Sequence, residues 1–169
     1  FRSHQDLGFG TFVVGLVAGS QFTASLISRF WAGRQADTRG AKRTVILGLI
    51  GAGVAGALYL LSLRLVSEPT ASVTVLLLGR GILGGAESFI VAGGLTWGFA
   101  LVGMHNAGKV MAWVGTAMYV AYAVGAPTGT ALYSGFGFAA IALATALIPM
   151  LAYVVVRPVG AVEAQSRTS

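Results

Sequence analysis

The chain has 169 residues, of which 56% are hydrophobic and only 9% are charged, and its mean hydropathy is +0.81. A soluble globular domain carries about a quarter charged residues, so this composition excludes a protein whose whole surface faces water. The net charge of +6 would favour nucleic-acid binding in a soluble protein, but the basic residues here lie mostly in one class of loop. That distribution favours a membrane topology and no nucleic-acid partner.

Five long apolar segments predict an all-α, polytopic membrane protein. Each segment has about the length needed to cross ~30 Å of hydrocarbon as a helix. The predicted transmembrane helices are residues 11–31, 44–63, 73–102, 109–133 and 137–156. We expect a loop over residues 1–8, one helical domain over residues 1–158, and a cytoplasmic linker or disordered tail over residues 159–169.

The stretch between the first two predicted helices is short and strongly charged. It sets four basic residues against the single acid Asp37, and the basic residues are Arg34, Arg39, Lys42 and Arg43. This pattern predicts a cytoplasmic hairpin between two membrane helices.

Basic residues are distributed unevenly between the two sides of the predicted topology. One side holds Arg29, Arg34, Arg39, Lys42, Arg43, Lys109, Arg157 and Arg167, and the other holds only Arg2 and Arg64. By the positive-inside rule the first side is cytoplasmic, so the chain is predicted to begin outside and end inside. Five spans that start outside fit a protein that has lost one preceding helix.

Arg80 lies inside the third predicted helix, about seven residues or ~10 Å from its outer end at ~1.5 Å per residue. A guanidinium group at that depth costs ~2.5 kcal/mol or more on insertion scales. Two interpretations stay open. The side chain either snorkels outward and anchors the helix, or it faces a water-filled cavity or an acidic partner, which we favour.

Glu87 lies seven residues further on, near the middle of the same helix. Seven residues correspond to about 700° of rotation, so Glu87 and Arg80 share one helix face, ~10 Å apart. Side chains lean toward the helix N-terminus, so we expect water or another helix to connect the two groups rather than a direct salt bridge. A desolvated carboxyl group suits reversible proton transfer near neutral pH. The alternative is a protonated Glu87 that hydrogen-bonds a neighbouring helix.

Three further features have both a functional and a structural interpretation. Gln21 either binds a solute hydroxyl or joins helices, a contact worth ~1 kcal/mol. Trp97 and Trp113 are predicted to anchor helix ends at the membrane interface. Pro127 is predicted to kink its helix, and Gly125 and Gly129 are predicted to let a neighbouring helix approach closely.

The sequence lacks the other signatures of chemistry. It has no phosphate-binding loop, no metalloprotease motif, no nucleophile elbow and no cysteine. His4 and His105 fall in loops on opposite sides and cannot share a metal ion. We therefore predict no enzyme activity, no metal and no cofactor.

Three motifs stand in an order that resembles the N-terminal half of a major facilitator superfamily transporter. They are Ser28 to Asp37, Leu78 to Gly84, and Gly125 to Pro127. The chain is similar to the segment from just before the second helix to just after the sixth, and within the family to the bacterial arabinose-efflux-permease-like group, the YhhS type. The resemblance implies an incomplete six-helix bundle in the bacterial inner membrane. It also implies that the first helix and the C-terminal half of the same transporter are missing partners.

The resemblance assigns a gating role to the charged stretch, whose motif residues are Gly33, Asp37, Arg39, Gly40, Lys42 and Arg43. Asp37 is expected to latch onto the opposite helix bundle in the outward-open state, with the basic residues holding that latch. Thr38 stands where the family commonly has a basic residue.

The resemblance also assigns roles inside the membrane. Arg80 corresponds to the family arginine associated with proton-coupled transport, and residues 125–129 correspond to the glycine–proline motif of antiporters. Ala126 and Thr130 replace two usual glycines of that motif.

Together these observations predict part of a secondary transporter that exports a small, sugar-like or drug-like organic solute against proton entry, with Arg80, Glu87 and Gln21 as coupling or binding residues. One alternative is an uncoupled facilitator of the same fold. Another is a membrane-embedded enzyme or a structural membrane subunit that transports nothing.

Overall fold

The structure, a computed structural model, describes residues 11–65 and 67–161. It consists of five α-helices joined by short connections, with a single 3₁₀ turn at Met104–Asn106. The helices are α1 (Thr11–Arg39), α2 (Ala41–Arg64), α3 (Pro69–Val102), α4 (Ala107–Phe136) and α5 (Phe138–Val156). All five are long and apolar enough to cross a membrane, which confirms the predicted all-α membrane fold. The predicted loop at 1–8 and the tail from 162 onward lie outside the described residues.

Single glycines separate two of the helix pairs. Gly40 lies between α1 and α2 with φ of +96°, and Gly137 lies between α4 and α5 with φ of +75°. A residue with a side chain is strained at such angles, so glycine is required for these abrupt reversals. Successive helices therefore run in opposite directions, and we call the two ends of the bundle the Gly40 end and the Gly137 end.

The charged stretch differs from the predicted loop. Residues 33–39 continue α1 as a regular helix and residues 41–43 open α2, so only Gly40 is non-helical. The hydroxyl of Thr38 donates to the carbonyl oxygen of Arg34 at 2.8 Å, a bond within the helix. A charged sequence favours water but does not oppose helix formation, because arginine, glutamine and alanine are all good helix formers. The charge pattern therefore did not mark the end of the helix.

Helix α3 is the centre of the bundle and packs along both α1 and α2. Glycines make these contacts possible. A Cβ atom at Gly84 would collide with the backbone carbonyl of Gln21 on α1, and one at Gly48 would lie 2.8 Å from the backbone oxygen of Ala86 on α3. Close backbone approach through small residues is the usual way for membrane helices to associate.

A buried serine pair adds a polar contact between α1 and α3. The hydroxyl of Ser88 donates to the backbone oxygen of Ser25 at 2.7 Å, and the two hydroxyl oxygens lie 3.0 Å apart. Each such contact between membrane helices contributes about 1 kcal/mol. The pair therefore supports the α1–α3 interface about one turn along α3 from Gly84.

An apolar cluster closes the Gly40 end of the bundle. Its buried members are Ala41, Val45, Leu49 and Trp97, with Ile90, Ala152, Tyr153 and Val156 packed around them. The prediction that Trp97 anchors the membrane interface is wrong, because only 8% of this side chain is exposed. Trp113 is 65% exposed, and its anchoring role stays a prediction.

Helix α4 packs lightly, touching α3 and α5 along short stretches. Val110 is its one buried residue among those described, whereas Tyr119 is 78% exposed. Large apolar side chains also cover the exposed face of α5. In a protein that spans a membrane such surfaces face lipid or other helices.

The glycine contacts of α3 predict a sharp contrast between two substitutions on this helix. Gly84→Ala forces α1 and α3 apart and should lower the free energy of unfolding by about 1–3 kcal/mol, as overpacking does. Gly81→Ala is the matched control, since a Cβ there meets nothing within 4 Å, and it should leave stability unchanged or raise it by ~0.5–1 kcal/mol. Thermal unfolding in detergent measures both, and equal effects would contradict the assigned contact.

Candidate functional site

Arg80 is held inside the bundle by a contact between helices. Its Nη1 atom on α3 donates a hydrogen bond of 2.8 Å to the Oε1 atom of Gln21 on α1. The Arg80 side chain is half-buried. The sequence predicted both residues as site candidates, and the structure places them in direct contact.

A cavity of about 270 Å³ lies beside Arg80, between α1, α2, α3 and α5. We call it the Arg80 cavity, and it is lined by Val17, Tyr59, Leu76, Arg80, Leu83, Phe138, Ile141 and Thr145. The sequence analysis missed Tyr59. Its ring packs on Gly79 and lies 6.1 Å from the ring of Phe138, centroid to centroid.

Glu87 faces a second cavity, of about 380 Å³, at the middle of α3. We call it the Glu87 cavity, and it is lined by Gln21, Phe22, Ala52, Leu83, Glu87, Ile90, Val91 and Tyr122. The hydroxyl of Tyr122 on α4 donates to Oε1 of Glu87 at 3.4 Å. A bond of that length is weak, so the carboxylate keeps most of its capacity to accept protons or hydrogen bonds.

The two cavities are neighbours along α3. Leu83 lines both of them, and Gln21 lines the Glu87 cavity while its side-chain Oε1 atom accepts a hydrogen bond from Arg80. Arg80 and Glu87 thus have separate hydrogen-bond partners on two other helices. The two contacts therefore place polar groups beside each of the two cavities.

The charged motif lies at the Gly40 end, away from the cavities. Asp37, Arg39 and Arg43 are exposed, Gly33 is half-buried on α1, and Gly40 forms the turn. Lys42 is different, because its ammonium group donates to the backbone oxygens of Arg157 and Val159 just beyond α5. Carbonyl groups at a helix C-terminus lack partners within the helix and attract cations.

A second side chain holds the same segment. Nε1 of Trp97 donates to the backbone oxygen of Gly160 at 3.2 Å. Val159 and Gly160, which the sequence placed in a cytoplasmic linker or disordered tail, are therefore bound through their backbone oxygens to α2 and α3. The contacts also explain why Trp97 is buried.

The glycine–proline motif lines a groove of about 280 Å³ between α4 and α5. Pro127 is inside α4. A Cβ atom at Gly125 or Gly129 would meet nothing within 4 Å, so in the described chain these glycines border open space. Close approach of a helix to them stays a prediction.

The described residues contain no group of three or more His, Cys, Asp or Glu side chains that could hold a metal ion. Tyr59 and Tyr122 are the residues that sequence reasoning missed. The position of Tyr122 could have indicated a functional role from the sequence. Tyrosines in membrane helices usually lie at the membrane interfaces, whereas Tyr122 lies in the middle of its predicted helix.

Comparison with known proteins identifies the fold to which these cavities belong. Residues 4–168 match the sequence profile of the Major Facilitator Superfamily. The chain belongs to the major facilitator superfamily. This finding confirms the family resemblance that the three sequence motifs predicted. Among solved structures, none matches the chain.

Similar superfamily members are bacterial proteins described as uncharacterized MFS-type transporters. A Salmonella typhimurium relative is 45% identical over 88% of this chain. YhhS of Escherichia coli is 39% identical over 92% of the chain, and a Burkholderia pseudomallei relative is 38% identical over 91%. The chain spans 38% of the length of each of these relatives.

Because Lys42 binds the backbone after α5, we expect it to protect the amide hydrogens of that segment from exchange with solvent. Lys42→Met removes a charged donor, and hydrogen bonds of this kind contribute about 1.5–3 kcal/mol, so amide hydrogen exchange around Val159 should rise at least about tenfold. Arg43→Met is the matched control, because Arg43 is the adjacent exposed cation. Equal exchange in the two variants would show that Lys42 does not hold the segment.

Proposed function

We propose that the chain is part of a secondary transporter that exports a small organic solute in exchange for protons by alternating access. The observation that carries this proposal is Glu87, a carboxylate at mid-helix that faces a cavity and has one weak hydrogen bond. An acid at such depth is costly, and in membrane proteins it usually marks an ion or substrate path. Family membership supports transport in general.

Glu87 is proposed as the proton carrier. Neutralising the carboxylate removes the cost of a charge in an apolar bundle, so binding a proton favours states in which the site is closed to water. Releasing the proton favours states in which the cavity opens to water. Arg80 and Gln21, which join α3 to α1, are proposed to relay this change between the helices or to contact the solute.

The charged motif at the Gly40 end is proposed as the gate. Asp37 is exposed at this end of α1, where it is free to contact another helix bundle. If Asp37 lies against the N-terminus of a helix in that other bundle, its negative charge is stabilised by about 0.3–1 kcal/mol. Several contacts of this size bias the equilibrium between inward-open and outward-open states.

The remaining partners follow from the same proposal. A first helix and a second bundle of the same transporter would cover the exposed apolar faces of α4 and α5, and lipid would cover the rest. The basic residues at the Gly40 end support a cytoplasmic position for that end, and we propose that the helices cross the inner membrane of a bacterium.

The proton-carrier role predicts the behaviour of Glu87→Gln in proteoliposomes of the whole transporter. Since the amide cannot carry a proton, solute flux driven by a pH gradient should fall at least about a hundredfold, while solute exchange without a gradient persists. Flux is measured with radiolabelled arabinose and benzoate as probe solutes. Glu68→Gln, at an exposed acid before α3, is the control, and undiminished gradient-driven flux in Glu87→Gln would overturn the assignment.

The proposed gating role predicts that Asp37→Asn changes the ratio of inward-open to outward-open protein and leaves the cavities in place. Loss of the charge should lower the outward-open population, because the latch acts in that state. Distance measurements between spin labels at the two ends of the bundle, made together with transport assays, report this shift. If Asp37→Asn changed neither the populations of the two access states nor the transport rate, the gating role of Asp37 would be wrong.

One rival function has an observation in its favour. Arg80 and Glu87 both have hydrogen-bond partners within the described helices, as purely structural ions would. The rival is an uncoupled facilitator of the same fold. A protonophore separates the two, since it abolishes coupled accumulation and leaves facilitated flux unchanged.

A further inference from the structure

The hydroxyl group of Tyr59 has no hydrogen-bond partner in the part of the chain that the structure describes. The residue is 5% exposed, so water from outside does not reach it freely. A buried hydroxyl without a partner costs about 1–3 kcal/mol. Proteins rarely leave such a group unpaired, so its orientation calls for a physical reason.

The position of the Tyr59 ring is fixed by its neighbours. Gly79 leaves room for it on α3, where a Cβ atom would lie only 2.7 Å from Cε1 of the ring, and Phe138 packs on it from α5. Tyr59 therefore has a fixed place in the lining of the Arg80 cavity. A donor fixed in this way loses little conformational freedom when it binds an acceptor.

Arg80 supplies further donors to the same cavity. A guanidinium group has five N–H donors, and the hydrogen bond to Gln21 uses one of them within the described chain. The residual positive charge favours an acceptor that is negatively charged. Two N–H groups of a guanidinium point in parallel and match the two oxygens of a carboxylate group in particular.

The rest of the cavity wall is almost entirely apolar. Val17, Leu76, Leu83, Phe138 and Ile141 form it, and the hydroxyl of Thr145 already donates to the backbone oxygen of Ile141 at 2.9 Å. Such walls suit a short hydrocarbon or aromatic group. The volume, about 270 Å³, lies just below the usual range of ~300–1,000 Å³ for small-molecule sites.

We propose that the Arg80 cavity is a binding subsite for the carboxylate group of a small amphipathic organic acid, with Arg80 and Tyr59 as the donors. The inference rests on the proposed transport function, because it names the class of solute that this part of the pathway takes. A sugar fits poorly, since its hydroxyl groups would lie against five apolar side chains. A cationic solute is repelled by Arg80.

Binding of benzoate to the whole transporter in detergent tests the proposal. Benzamide has the same shape without the charge, and arabinose represents neutral sugars. Benzoate should bind at least about tenfold more tightly than benzamide, as expected for charge-assisted hydrogen bonds. Tyr59→Phe should weaken benzoate binding about tenfold and benzamide binding less, because the neutral amide oxygen accepts a weaker hydrogen bond than a carboxylate oxygen. Tyr153→Phe, in the apolar cluster at the Gly40 end, is the control and should leave both unchanged.

Thermal unfolding without benzoate separates a ligand from a neighbouring helix as the partner of Tyr59. If the hydroxyl has no partner until a solute binds, Tyr59→Phe unfolds at the same or a higher temperature than the unsubstituted protein, because the variant loses no hydrogen bond. Unfolding at a lower temperature overturns the subsite, since the hydroxyl then has a protein partner. Equal affinity for benzoate and benzamide also overturns it.

Flux measurements keep this inference distinct from the proposed function. Benzoate binding that depends on Tyr59, without flux of benzoate or arabinose in proteoliposomes, supports the subsite and contradicts the transport function. Proton-driven arabinose flux without benzoate binding supports the transport function and overturns the subsite.

Discussion

The hydrogen bond from Arg80 to Gln21 joins α3 to α1 in the apolar interior of the bundle. An ionised side chain is tolerated there only with a partner, because an unpaired charge away from water is far costlier than any single packing contact. The close approach of the two helices at Gly84 brings Gln21 within reach. Glycine packing and the polar contact therefore depend on each other, and the two cavities lie on either side of that junction.

The sequence was sufficient to predict the number and approximate positions of the helices, because twenty apolar residues in a row have few alternatives. It was less informative about where helices end. Residues 33–39 looked like a loop since they are charged, yet helix formation depends on backbone hydrogen bonds that charged side chains do not disturb. Gly40 was the real break, and its positive φ requires glycine.

The candidate site was predictable only in part. Arg80 and Glu87 were visible because ionisable residues are rare in apolar helices, and Gln21 stood out as a polar side chain in an apolar segment. Their partners were not, because pairing between α1 and α3 or α3 and α4 depends on helix rotation and crossing. Tyr59 and Tyr122 resemble ordinary aromatic residues until the structure shows that each lines a cavity. Lys42 binds the segment after α5, a contact that no local pattern indicated.

The proposed transport function requires that α3 present the face carrying Arg80 and Glu87 to an aqueous path. The chain contains no cysteine, so a single Glu87→Cys substitution in the whole transporter can be labelled without background. This requirement predicts that a charged, membrane-impermeant methanethiosulfonate reagent modifies this cysteine and leaves Val120→Cys, on the exposed apolar face of α4, unmodified. Equal labelling of the two cysteines, or no labelling at position 87, would contradict it.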